Sequence, residues 1–103
     1  MPNIPLSAET QRRLDALFVG PAREKAARML IAQCGDNLPF AEGADPFSLE
    51  RIRFAALKLS RGDLTELQDW VQHAHIDSRD LLMAAGFGQD VRAHETWCPD
   101  AHA

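Results

Sequence analysis

Cysteine is scarce in this chain: Cys34 and Cys98 are the two in 103 residues. That is too few for a disulfide framework, so a reducing compartment, the cytoplasm, is the expected setting. No apolar run approaches the roughly 18 residues that a bilayer crossing requires, which removes the membrane-spanning classes. The opening segment from Met1 to Ser7 has neither a basic end nor a continuous apolar stretch, so it does not read as an export signal. Alternation with a period of two is missing, and Gly or Pro interrupts every stretch long enough to show it, which argues against a sheet. Internal repeats and low-complexity tracts are missing as well. Positive charge is scarce in one half only: residues 63–103 hold Arg79 and Arg92 against eight carboxylates, whereas residues 1–62 hold nine Lys/Arg against seven. A phosphate-binding role for the second half is thereby disfavoured; the acids could attract a basic partner, although the plainer reading is that the halves fold together and the charges are solvated.

What the chain does have is helix punctuation. Leu49, Ile52, Ala56 and Leu59 form an apolar run that opens around Ser48 and stops at Gly62. Asp63 opens a second run on Leu64, Leu67, Val71 and Ala74. Asp77 opens a third, with Leu81, Leu82 and Ala85, which stops at Gly86. Asp at an N-cap and Gly just past the last helical residue are the expected start and stop residues. Upstream, Ser7 is a candidate N-cap for a helix reaching about Phe18, with Leu14, Leu17 and Phe18 inward. Gly20-Pro21 breaks and restarts the chain, and a second helix covers Ala22 to Cys34, ending at Gly35. Ala26, Ala27, Met29 and Leu30 supply its apolar side. Residues 36–46, with two prolines, one glycine and three acids, read as the one long loop. A short helix from Gln89 to Trp97 completes the pattern, with residues 1–6 and 99–103 fraying. The expected fold is a single all-α domain over residues 1–103: a compact, irregular or orthogonal bundle of five to six helices. Residues 48–97 resemble small bacterial helical proteins; no activity follows from that resemblance.

Candidate chemistry is thin. Leu67 to Ala85 has the outline of a helix-turn-helix unit, with Trp70, Ala74, Ile76, Leu81 and Ala84 at the packing positions. However, Val71 and His75 stand where small residues are wanted, and the second helix opens on Asp77 and Asp80 around one arginine, a poor match to phosphate. His94, Cys98 and His102 recur at four-residue spacing and form an alternative zinc set, which Pro99 spoils by ending the helix. His73, His75, Asp77, Ser78 and Asp80 crowd together, but Asp77 and Asp80 are explained by helix capping and the helix dipole. Gly86-Phe87-Gly88 lacks the preceding strand and the lysine of a phosphate loop. No enzyme activity and no cofactor are expected.

The aromatic residues carry the remaining functional reading. Phe40, Phe87 and Trp97 lie in or beside loops, near Asp90 and Glu95. The expectation is an interaction module, such as an adaptor or regulator: these aromatics would hold a partner and the acids would steer it if it is basic. A homodimer is a further expected arrangement. Nucleic acid binding and membrane insertion are not expected.

Overall fold

The computed structural model describes residues 5–35, 46–88 and 92–97. Five α-helices follow one another: α1 (Ala8–Leu17), α2 (Pro21–Gln33), α3 (Pro46–Ser60), α4 (Leu64–Ile76) and α5 (Ser78–Ala84), then a 3₁₀ turn, Ala93–Thr96. Among the described residues there is no strand.

The caps act as the sequence implies. The Ser7 Oγ accepts from the Thr10 amide at 3.1 Å. Asp63 accepts from the amides of Thr65 and Glu66 at 2.8 and 3.3 Å. Asp77 is a one-residue junction: its side chain caps α5 through the amides of Arg79 and Asp80, while its own N–H donates to the His73 carbonyl and closes α4. Gly86, at φ 83°, ends α5. Its N–H reaches the Met83 carbonyl and that of Phe87 reaches the Leu82 carbonyl, the double-bond motif of a left-handed helix end. Between α3 and α4 the turn is tighter. Gly62 sits at φ 82°, and a Cβ there would stand 2.8 Å from the Leu17 carbonyl oxygen.

α3 begins two residues before the expected Ser48, because proline is preorganised for the first helical position. It is also buried on nearly every side: Leu49, Ile52, Phe54, Ala55, Ala56 and Leu57 are each 2% exposed or less. Burial on that scale places α3 at the centre of the core, and α1, α4, α5 and the 3₁₀ turn all pack against it. The continuous stripe Leu67, Val71, Ala74, Ser78, Leu81 and Ala85 is buried from α4 into α5 without losing phase at Asp77. Leu14 and Phe18 of α1, and Ala26 and Leu30 of α2, close the core, with Leu17, Ala27 and Met29 partly buried against it.

Two cations of α3, the buried Arg53 and the exposed Lys58, tie the layers together. Arg53, 2% exposed, donates from Nε to the Cys34 carbonyl at 2.8 Å and from Nη1 to the Pro5 carbonyl at 3.0 Å. Its guanidinium therefore sits at the negative end of α2, where carbonyls lack helical partners. Lys58 does the same for α5, its Nζ donating to the Ala85 carbonyl at 2.7 Å. Two sequence expectations change here. Pro5 and Leu6 are held against the bundle, so the expected fraying of residues 1–6 does not extend to them. In place of a sixth helix, residues 93–96 form a 3₁₀ turn, its Trp97 carbonyl taken by Arg13 Nε at 2.8 Å. Residues 36–45, 89–91 and 98–103 of the expected loop, last helix and tail lie outside the described residues.

Candidate interaction surface

Two of the three aromatic residues expected to face a partner, Phe87 and Trp97, pack instead toward α3. Phe87 is 2% exposed. Its ring lies 6.3 Å from that of His94 and 6.5 Å from that of Trp97. His94 is fully buried, edge-on to Phe47 at 5.0 Å and to Phe54 at 5.3 Å. The Arg13 guanidinium stands 4.3 Å from the Phe54 centroid, and Lys58 Nζ 5.0 Å from that of Phe87. Such cation–ring contacts favour the buried arrangement because the ring face is electron-rich. Phe87 is therefore a core residue, and Trp97 is a half-buried one packed on Phe54 at 5.9 Å. Glu95 is exposed and paired with Arg92 at 3.0 Å. Phe40 and Asp90 lie outside the described residues.

The burial of Phe87 had a readable signal. It directly follows the capping Gly86, the position whose apolar side chain habitually folds back on the end of the helix it terminates.

The other constellations resolve into structure. Of the alternative zinc set, Cys98 and His102 lie outside the described residues, and His94 is the ring enclosed by phenylalanines. No group of three metal-ligating side chains occurs among the described residues. In the His73–Asp80 crowd, His73 Nε2 meets Asp80 Oδ2 at 2.6 Å, with the Trp70 ring 5.6 Å away. His75 Nε2 instead bonds the Gln33 carbonyl, and Ser78 is buried. Asp77 is thus taken up by capping and His75 by a backbone carbonyl, while His73 and Asp80 pair with each other. Burial pushes the Cys34 thiol up to about 12, despite the nearby Arg53. It remains a protonated core residue and a poor nucleophile at neutral pH. A pocket of about 340 Å³ lies between Pro5, Ser7, Thr10, Phe47, Glu50 and Arg53. Its polar groups bond one another: the two hydroxyls meet at 3.0 Å, Ser7 donates to Glu50, and Arg53 holds the Pro5 carbonyl.

The helix-turn-helix assignment needs correction at two of its packing positions. Ala74 and Leu81 are fully buried and Trp70 is half-buried, but Ile76 is 76% exposed and Ala84 is exposed. The real stripe contains Val71 and Ser78, and Ile76 falls two residues off it. Met83, between Leu81 and Ala85, falls off it in the same way and is 60% exposed. Two large apolar side chains therefore stand in solvent on α4 and α5, where sequence reasoning had placed one in the core and had not used the other. The exposed charges along α4, α5 and their caps are mostly of one sign: Asp63, Glu66, Asp69, Asp77 and Asp80 against Arg79, with Lys58 of α3 reaching the end of α5. Beside α4, α2 exposes Arg23, Lys25 and Arg28 against Glu24. No helix of the described residues is long and apolar enough to cross a membrane.

Compared with protein-family models, with curated proteins and with solved structures, the chain matches none.

Proposed function

We propose that this chain is a protein–protein interaction module whose exposed α4–α5 surface receives a basic partner. The observation that carries this reading is the exposure of Ile76 and Met83 on two helices whose own exposed charges, caps included, are five carboxylates and one arginine. Free apolar side chains supply desolvation energy on contact, and one-signed charge around them raises the encounter rate with an oppositely charged surface. The same charge disfavours duplex DNA, whose binding draws on phosphate neutralisation. The reading departs from the sequence expectation in its anchors, Ile76 and Met83 replacing Phe87, and keeps its electrostatics.

The test is parallel affinity capture with the wild type and with Ile76→Gln and Met83→Gln. Both positions are exposed, so both variants keep the wild-type melting temperature to within a few degrees. A partner retained by the wild type, weakened by salt and lost with either variant supports the reading. A partner held equally by all three proteins contradicts it.

A further inference from the structure

The acidic surface of α4 has a basic neighbour on the same face. Gln33, the last residue of α2, links the two helices: its side chain accepts from Gln68 Nε2 at 3.0 Å, and its carbonyl meets His75 Nε2. On α4, Asp69, Gln72 and Ile76 are exposed and lie one residue along from the seam positions Gln68, Val71 and His75. By helical spacing they form a single row bordering the seam. On α2, Lys25, Arg28 and Ala32 are exposed and form the corresponding row on the other side. A shallow groove of about 300 Å³ runs along that row, lined by Lys25, Arg28, Met29, Ala32 and Gln33. The face thus carries a cationic row with an apolar groove, a central seam, and a row with one carboxylate, Asp69, and a projecting isoleucine.

A face built this way is complementary to itself. A two-fold axis through the seam turns the α2 row of one copy onto the α4 row of the other, and does so twice. Isologous contacts of this kind require the same patch to match its own rotated image, and they are the commonest route to a soluble oligomer. Here the rotation brings the row of Lys25 and Arg28, with its groove, to the row of the partner helix that holds Asp69 and Ile76. We propose that the partner of this surface is a second copy of the chain, in a two-fold homodimer joined through α2 and α4. This rests on the reading of α4 as the partner-binding element and names its occupant.

Sedimentation velocity over a concentration series tests it, with Asp69→Lys and Arg28→Glu measured singly and as an equimolar mixture. In a homodimer of either variant, like charges oppose each other at both contacts. In the mixed dimer, one contact is wild type and the other is reversed but complementary. The expected result is a salt-sensitive wild-type dimer, a dissociation constant about tenfold or more higher for each variant alone, and recovery in the mixture. Ile76→Gln, which changes no charge, weakens the dimer as well. A wild-type monomer throughout the series overturns the proposal, as does a dimer indifferent to both reversals or a mixture no tighter than its components. Should that happen while affinity capture still returns a different protein through Ile76, the interaction reading stands and only the second copy is rejected.

Discussion

Arg53 shows how much one side chain can hold in a molecule this small. It lies on the most buried helix, and its guanidinium answers carbonyls of α2 and of the segment before α1. Replacing it by methionine keeps much of the packing but leaves the buried Cys34 carbonyl without this donor, at about 1–3 kcal/mol, and releases the more exposed Pro5 carbonyl. Arg53→Met is therefore expected to lose about 2–4 kcal/mol in urea unfolding, and Arg53→Lys less, because an ammonium keeps the charge but not the fork. Cys34 gives a second, independent check. Its folded value lies above its ordinary one of 9.0, at about 12. A raised folded value means that the folded state holds its proton longer than the unfolded chain does. The stabilisation is complete below about pH 9 and falls by up to about 1.4 kcal/mol per pH unit as pH rises toward 12. In Cys34→Ala that part of the alkaline loss should disappear from the pH dependence of unfolding. A Cys98→Ser variant should show no thiol reactive toward a disulfide reagent at pH 8 until denaturant is added.

Helix ends were legible in the sequence because capping is local. Ser7, Asp63, Asp77 and Gly86 each act on amides or carbonyls within a few residues. The turn at Gly62 was equally legible as a stop, but its severity was not, since the Leu17 carbonyl that crowds it comes from a distant helix. Gly62→Ala combines a positive φ with that 2.8 Å approach, and should destabilise by about 1–3 kcal/mol in thermal unfolding. Asp77→Ala, which removes only the side-chain cap of α5, should cost about 1 kcal/mol. Trp97 and the 3₁₀ turn were beyond such reasoning, because Arg13 and the rings of α3 decide their position from across the bundle. Ile76 and Met83 were legible and overlooked. The buried stripe steps 67, 71, 74, 78, 81, 85, and both residues fall between its members. Reading α4 and α5 as two separate amphipathic helices hid the fact that the stripe runs through their junction.

Seen as one body, the molecule spends its large aromatic side chains and several cations on its own interior. Phe54, Phe87 and His94, with Arg13 and Lys58 beside them, fasten residues 85–88 and 92–97 to α3. What is left outside includes a basic α2 row, an acidic α4–α5 surface and, on that surface, the apolar side chains of Ile76 and Met83. The division of charge between the two halves of the sequence therefore becomes a division between neighbouring helices of one face. The composition announced the imbalance, but only the packing of α2 on α4 could reveal that its two signs lie side by side. Raising salt should weaken any association through this face, since exposed charges are screened beyond about 8–10 Å at physiological ionic strength.

The most direct measurement is site-specific photo-crosslinking in the intact protein, with the probe placed at Ile76 and, in a separate sample, at Val19. Val19 is 73% exposed against 76% for Ile76, so accessibility is matched while the surface differs. The account predicts a discrete covalent adduct from position 76 that salt diminishes, and none of comparable yield from position 19. Equal yields from the two positions, or no adduct from position 76 at any salt concentration, would contradict it.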